Sequence, residues 1–272
     1  MAESFLQLQA KEQSEIYRAL SPQLSRSPAV LEKDVWVCWV LQTLFTMPGR
    51  LPMAFKGGTS LSKVFGAINR FSEDVDVTLD YRGLDSSFDP FTEGASKTQL
   101  KKFSEGLKSF VQDHAHSVVA PHFEKILAAE FGNDGYRIEV SADGELLRVH
   151  VESQREVFRP NADRLSRHWY DLSMLADMDI GQAALENRDL LVDVVKHKKI
   201  FYHTSYANYD ACLVGQLRLL PDDVVLVSLA QDFQRMIEAG MFMGAPPAFV
   251  QIIGRLRLLE AEINKSTVLT GW

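Results

Sequence analysis

Two acidic residues and two glycines have the spacing that a site for a metal ion and a phosphate requires. Asp74 and Asp76 alternate in a predicted strand over residues 74–80, so both carboxylates are expected on one face. Neighbouring carboxylates repel unless a cation lies between them, and Mg²⁺ prefers oxygen ligands and often bridges to substrate phosphates. Gly57 and Gly58 precede a predicted helix, where bare backbone and free N–H groups can bind phosphate. The pattern predicts a site that transfers a nucleotidyl group.

Each half of this pattern also has a simpler explanation. A Gly-Gly pair between a strand and a helix is often only a turn, and an Asp-x-Asp strand is often a solvated edge whose charges discourage pairing. Here the glycines and the acids occur in order, with a single predicted helix over residues 59–67 between them. This order of strand, helix and strand favours the phosphate and metal site.

Cations that can contact phosphate occur in two places. Lys63 lies three to four residues after Thr59 and Ser60, on the side of the helix start where a phosphate would lie, although it can equally be a surface lysine. Residues 196–199 read Lys-His-Lys-Lys, which can contact a triphosphate or an RNA backbone, or form a solvated helix end. The chain has no Cys–His zinc spacing, no P-loop and no Gly-x-Ser-x-Gly motif.

The sequence around these residues resembles the AbiEii/AbiGii-type nucleotidyltransferase toxins. These are polymerase-β-like enzymes that form the toxic half of bacterial toxin–antitoxin pairs. Similar motifs continue in order through most of the chain. The segments that carry the resemblance are residues 32–37, 57–63, 70–76, 167–172, 195–201, 217–221 and 232–264.

The resemblance implies an α+β fold, with a polymerase-β-like nucleotidyltransferase lobe built on a small mixed sheet and a mainly helical C-terminal lobe. It implies that Asp171 acts as a general base or orients one, and that Lys196 neutralises phosphate. From the residues alone, Asp171 can instead belong to a salt-bridged helix face. The implied catalytic residues are Ser72, Asp74, Asp76, Asp171 and Lys196. The implied substrate-binding residues are Gly57, Gly58, Thr59, Ser60, Lys63, Arg167 and His168.

The implied activity is magnesium-dependent transfer of a nucleotide from an NTP to an acceptor hydroxyl, with Mn²⁺ as an alternative ion. Asp74 and Asp76 are the expected metal ligands. The family analogy suggests the 3′ end of a tRNA as acceptor and a cognate antitoxin as partner. Two alternatives remain open: a transferase that modifies a protein or a small molecule, and a catalytically weakened module that binds nucleotide or antitoxin.

One family feature is missing after the predicted strand that ends at Val151. Family members continue there with more strands, one of which carries a third acidic residue, and with a helix that carries a Glu-Lys pair. Here the chain passes almost directly into residues 152–156, which resemble the far end of that helix. Either this is a natural deletion or a stretch is omitted. Glu139 or Glu152 is the candidate replacement for the third acid.

Composition is that of an ordinary globular protein. With 272 residues the chain can bury a sizeable core, and its net charge of −7 argues against general nucleic-acid binding but not against a local basic groove. No apolar run approaches the roughly 20 residues that span a bilayer, and no secretory signal is present, so we expect a cytoplasmic protein. Cys38 and Cys212 are expected to be buried free thiols.

The apolar periodicity divides the chain into a mixed first part and a helical second part. The boundary is predicted within residues 152–163, which gives a nucleotidyltransferase-like lobe with N-terminal helices over residues 1–152 and a helical lobe over residues 153–272. The main predicted helices cover residues 5–20, 29–45, 59–67, 100–131, 164–177, 182–202, 221–239 and 248–263. The predicted strands cover residues 51–56, 74–80, 136–141 and 146–151.

Overall fold

The computed structural model describes residues 5–84, 88–132, 134–151, 164–202 and 208–265. The chain divides into two compact units. The first contains Met1–Ser60 and Phe71–Arg159, and the second contains Leu61–Arg70 and Pro160–Trp272. The predicted boundary at residues 152–163 lies outside the described residues, and the division into residues 1–152 and 153–272 stays a prediction.

The first unit begins with two helices, α1 (Ala10–Leu24) and α2 (Pro28–Phe45). Helix α1 ends where Ser25 takes a left-handed backbone conformation, with φ of 51°. Helix α2 begins because the Ser27 side chain accepts a hydrogen bond from the N–H of Val30 at 3.3 Å, and a proline follows with its φ already set for a helix. The predicted break between the two helices is therefore confirmed.

The strands of the first unit form two separate sheets. Strand β1 (Met53–Lys56) pairs with β2 (Asp76–Leu79), and β3 (Tyr136–Val140) pairs with β4 (Leu147–Val151). Both pairs are antiparallel and two-stranded. The predicted hairpin is confirmed. The predicted mixed sheet was wrong for the described residues, since they contain no parallel pair.

The geometry between β1 and β2 explains this difference. Helix α3 (Gly57–Lys63) starts directly after β1 and ends after seven residues. Gly66, three residues after the helix ends, has a φ of +58°, and the N–H of Ala67 bonds to the carbonyl of Leu61 at 2.8 Å, so the chain folds back over the last turn of α3. Helix α3 is therefore shorter than predicted, and β2 then pairs antiparallel with β1.

A long interrupted helix supports the hairpin. Helix α4 (Lys97–His114) continues through a π-helical turn (Ala115–Val119) into α5 (Ala120–Phe131). The π turn lies directly before Pro121, which has no N–H to give to the preceding turn, so the wider turn absorbs the missing hydrogen bond. The predicted helix over residues 100–131 is confirmed, although it begins at Lys97 and contains the π turn.

The hydrophobic core of the first unit lies where α2 meets α5. Trp39 and Phe123 are buried there with ring centroids 5.8 Å apart, and the indole N–H of Trp39 donates to Glu130 at 2.8 Å. Residues from β1, β2 and both hairpin strands pack against this cluster, so one core holds the two small sheets. The buried members of the cluster are Trp39, Leu44, Phe123 and Leu127.

The described part of the second unit is mainly helical. The single helix predicted over residues 182–202 is instead two helices, because Asn187 breaks the regular backbone and its side chain accepts the N–H of Leu190 at 3.0 Å. In the helix predicted over residues 248–263, the apolar residues Ile252, Leu256 and Leu259 are buried. The helices are α6 (Arg167–Ala176), α7 (Asp179–Glu186), α8 (Arg188–Phe201), α9 (Asp223–Glu238) and α10 (Phe249–Lys265). Short 3₁₀ turns lie at Phe5–Gln7, Tyr81–Gly83 and Tyr209–Val214.

The α+β class is confirmed by this mixture of helices and small sheets. No helix in the described ranges is long and apolar enough to cross a bilayer. Both cysteines are free, as predicted, but Cys38 is exposed and Cys212 only partly buried. The expectation that Cys38 is buried was wrong. An apolar run indicates that a helix packs against the core, but it does not show which side of the helix faces the core.

Candidate active site

The structure brings the first glycine and the second acid of the motif into contact. Lys56, the last residue of β1, pairs with Asp76, the first residue of β2, and Gly57 follows Lys56. Gly57 has a φ of +76°, and a Cβ atom added there would lie 2.9 Å from Cγ of Asp76 and still closer to a carboxylate oxygen. Only glycine fits this position, because both the backbone angle and the approaching carboxylate exclude a side chain.

Asp74 is held in a different way from Asp76. It lies two residues before β2 and is exposed, so the prediction that both acids belong to one strand was wrong. The buried hydroxyl of Thr59 donates to the carbonyl of Asp74 at 2.5 Å and to that of Ser72 at 3.2 Å. These hydrogen bonds hold the backbone of residues 72–74, which lies outside the strand pairing of β2.

The other residues of the motif surround this contact. Gly58 lies in the first turn of α3, and Thr59 and Ser60 are buried there. Ser72 is also buried, with its carbonyl bound by Thr59. Six predicted site residues of the first unit therefore share one local framework with Asp76: Gly57, Gly58, Thr59, Ser60, Ser72 and Asp74.

In the second unit, Asp171 forms a buried ion pair. Nε of Arg70 lies 2.7 Å from Oδ1 of Asp171, and Nη2 lies 2.6 Å from Oδ2, with side-chain exposures of 3% and 12%. The backbone of Arg70 also bridges to Phe242. Both oxygens of Asp171 are thus bound by one guanidinium, in the bidentate geometry that gives the strongest fixation of a carboxylate. Asp171 therefore pairs with Arg70, 101 residues earlier in the chain, and the salt-bridged helix face stays a prediction.

His168 and Arg167 occupy the start of α6, where His168 is exposed. Partial desolvation, followed by the positive charges of Arg167 and Arg70, lowers the pKa of His168, and the charge of Asp171 opposes this shift. The lowered pKa keeps the imidazole neutral near pH 7, in the form that can accept a proton.

Three lysines near the end of α8 differ in what they contact. Lys198 places its ammonium 4.1 Å from the ring centroid of Tyr202, and Lys199 pairs with Asp210 at 2.9 Å. Lys196 is exposed, and no ion pair or ring contact to it is seen within the described residues. Lys63, also predicted to contact phosphate, is exposed in the last turn of α3.

The acids of the first unit fit a metal site only if a substrate completes it. No group of three or more His, Cys, Asp or Glu residues comes together in the described part of the chain. Glu139 is a candidate third acid, but its carboxylate already has partners. Oε2 lies 2.8 Å from Nε2 of His150, and Oε1 lies 3.5 Å from Nη1 of Arg148. Glu152 lies outside the described residues. Asp74 and Asp76 remain a suitable pair, because Mg²⁺ is usually bound by one or two carboxylates together with substrate phosphates.

Sequence reasoning missed two ion pairs at or next to predicted site residues. Lys33 pairs with Glu73, directly before Asp74, and Arg70 holds Asp171. The members of these pairs are 40 and 101 residues apart. Opposite charges at such separations leave no local pattern, although both cations lie inside the motifs that carry the resemblance.

Comparison with known families agrees with the motif. Residues 39–166 match a family described as nucleotidyl transferase AbiEii toxin, Type IV TA system. The matched segment contains the whole glycine and acid motif and ends before α6. Searches of curated proteins and of solved structures found no match. The resemblance is therefore confirmed over residues 39–166.

Proposed function

We propose that this chain, which over residues 39–166 is similar to the AbiEii nucleotidyl transferase toxins, transfers a nucleotide from an NTP to an acceptor hydroxyl. The observation that carries the proposal is the contact between Gly57 and the carboxylate of Asp76. The backbone of Gly57 has no side chain and can bind a phosphate, and the carboxylate of Asp76 beside it can bind a metal ion. The two groups that the reaction needs therefore lie next to each other. A turn with no function does not require an acid at this place.

The reaction joins the acceptor oxygen to the α-phosphorus of the NTP and breaks the bond between that phosphorus and the bridging oxygen. Pyrophosphate leaves with the electron pair of the broken bond, and the hydroxyl proton passes to a base. Gly57, Gly58, Thr59 and Ser60 line the phosphate side of the site, and Lys63 adds a positive charge.

Asp74 and Asp76 would hold Mg²⁺, or Mn²⁺ in its place. When bound, the ion offsets charge on the triphosphate and on the leaving pyrophosphate. The chain would present two carboxylates, that of Asp76 beside Gly57 and that of Asp74 on the segment whose carbonyl groups Thr59 binds. Ser72 lies on the same segment and is assigned to the site through the family resemblance.

Of the two roles predicted for Asp171, orientation is better supported than proton transfer. Its two oxygens are bound by Arg70, so a proton could reach it only at the cost of that pair. His168, three residues earlier on α6, is the candidate proton acceptor, because burial lowers its pKa and so keeps the imidazole neutral near pH 7. Arg167 and Lys196 would contact phosphate groups of the nucleotide or the acceptor.

For the acceptor, we propose the 3′ end of a tRNA, with growth arrest following from blocked translation. The proposal places the protein in the cytoplasm, where NTPs and tRNA are found, and gives it a cognate antitoxin, in accord with the toxin–antitoxin description of the matched family. A protein or small-molecule hydroxyl is the alternative acceptor for the same chemistry.

The test incubates the full chain with Mg²⁺, each labelled NTP in turn and total tRNA, and identifies what becomes labelled. We expect one NTP to label tRNA with release of pyrophosphate, and the double variant Asp74→Ala, Asp76→Ala to abolish both signals. Asp113→Ala, an exposed acid on α4, is the control. Labelling of another molecule would indicate the alternative acceptor. Nucleotide binding without pyrophosphate release would support the non-catalytic module, and full activity of the double variant would refute the metal ligands.

A further inference from the structure

The segment that carries Asp74 has no regular secondary structure, so other contacts must fix it. Residues 71–75 lie between α3 and β2 and belong to neither. Thr59 binds two of their carbonyl groups, as described above, but these bonds restrain only the backbone. Among the side chains, Glu73 is held by Lys33, whose Nζ lies 2.5 Å from its Oε2.

Lys33 is placed on a rigid element. It lies on α2, where Leu31 and Val37 on either side are buried in the core of the first unit. The pair itself is partly shielded from water, with side-chain exposures of 37% for Lys33 and 26% for Glu73. Partial burial strengthens the attraction compared with a fully exposed pair, so the contact can transmit the position of α2 to the segment.

We infer that Lys33 is a positioning residue that, through Glu73, fixes the carboxylate of Asp74 for the metal-bound triphosphate. This inference rests on the proposed function. Glu73 is the immediate neighbour of Asp74, so its pair with Lys33 adds a side-chain restraint at a point where the Thr59 bonds hold only the carbonyl groups of Ser72 and Asp74. The simpler alternative is a surface ion pair that contributes up to about 1 kcal/mol to stability and nothing to the site.

The test measures metal binding rather than activity alone. Mn²⁺ is titrated into the full chain by electron paramagnetic resonance, alone and with α,β-methylene ATP, which cannot release pyrophosphate. We expect Lys33→Ala and Glu73→Gln each to raise the dissociation constant of Mn²⁺ about 10-fold, the lower end of the range for groups that orient metal ligands. In transfer assays the half-saturating Mg²⁺ concentration should rise more than kcat falls.

Two features separate positioning from a structural effect. Lys33→Arg should restore most of the affinity, since a guanidinium can also pair with Glu73. The double variant Lys33→Ala, Glu73→Gln should bind Mn²⁺ no more weakly than either single variant, because both remove the same contact. If Lys33→Ala binds Mn²⁺ like the wild type, or if the two single effects multiply, the positioning role is excluded.

The control removes a neighbouring ion pair of α2. Arg26 pairs with Asp34, the next residue of α2, at 3.2 Å and with similar partial burial. Arg26→Gln should leave Mn²⁺ affinity unchanged, and thermal melting of every variant reports folding. Should Lys33→Ala not fold, Glu73→Gln carries the test. Should Asp74→Ala with Asp76→Ala bind Mn²⁺ and transfer nucleotide like the wild type, the proposed function fails. A loss in that variant without a loss in Lys33→Ala would reject only the positioning role.

Discussion

The contact between Gly57 and Asp76 makes one residue type obligatory at the start of α3. The register of β1 and β2 sets Asp76 opposite Lys56, and the left-handed turn at Gly57 then brings the backbone beneath the carboxylate. Two different costs therefore oppose any side chain at position 57. One is the backbone strain of a positive φ, and the other is the loss of the position of the acid.

Gly57→Ala should abolish nucleotide transfer and lower the free energy of unfolding. The left-handed conformation alone costs an L-residue about 1–2 kcal/mol. The clash with Asp76 adds to this cost and displaces the carboxylate. Chemical denaturation and the transfer assay measure the two effects separately.

Gly49→Ala is the matched control for this change. Gly49 has a φ of +70°, close to that of Gly57, but no atom lies within 4 Å of an added Cβ. It should lose stability by the strain alone and keep its activity. Equal activity in the two variants would show that the approach of Asp76 does not matter.

Asp171→Asn should destabilise the protein, because it leaves the guanidinium of Arg70 buried with a weaker partner. Breaking a buried ion pair from one side costs about 3–5 kcal/mol, and we expect a loss near the lower end because asparagine can still accept one hydrogen bond. Urea denaturation measures the loss. The double replacement Arg70→Met, Asp171→Leu should recover much of it, and a single variant as stable as the wild type would contradict the role of the pair.

At the scale of elements, the sequence predicted what depends on local pattern. Helices α2 and α10 follow from apolar periodicity, and the β3–β4 hairpin follows from alternation and a glycine turn. The end of α3 was misplaced because the helix already ends at Lys63, three residues before the left-handed Gly66, and no local pattern marks that point. The strand at Asp74 was misplaced because alternation cannot show where ladder pairing stops.

The junction of α4 and its π turn should make stability depend on pH. His114 stacks on Phe110 with centroids 6.1 Å apart, and its Nε2 is buried with no hydrogen-bond partner within the described residues. Burial lowers the pKa of His114, so the unfolded chain binds a proton more readily than the folded one. The contribution of the neutral His114 side chain to the free energy of unfolding is therefore fully present above its pKa in the unfolded chain, near 6.5. This contribution is lost as the pH falls through the lower pKa of His114 in the folded chain.

His114→Phe should remove this contribution while it keeps the stacking on Phe110. Urea denaturation at pH 7.5, 6.5 and 5.5 should give a flatter dependence than the wild type. Part of the slope should remain, because desolvation also lowers the pKa of His168 and His197. His116→Phe, at an exposed position two residues later, controls for the added ring. A slope that His114→Phe leaves unchanged would rule out this group.

Contacts between distant parts of the chain set the limit of what the sequence could predict about the candidate site. The sequence showed which residue types the candidate site uses, and it showed the glycines and acids that lie close together along the chain. Pairing of Lys33 with Glu73 and of Arg70 with Asp171 depends on how whole elements pack. Charge pairing over 40 or 101 residues has no periodic signal, whereas burial within one helix does.

The charge of the whole molecule also constrains how it can bind an RNA acceptor. With a net charge of −7, attraction to a polyanion must come from a local cluster, and α8 offers one. Lys198 and Lys199 already contact Tyr202 and Asp210, which leaves Lys196 the best placed to reach a phosphate.

Lys196→Ala should weaken tRNA binding and reduce the slope of log affinity against log salt by about 1, the value for one lost phosphate contact. Filter binding between 50 and 200 mM salt, roughly the range in which such contacts are measured, tests this. Lys101→Ala, an exposed lysine on α4, should leave the slope unchanged. Equal slopes in the wild type and Lys196→Ala would show that Lys196 on α8 does not contact tRNA phosphates.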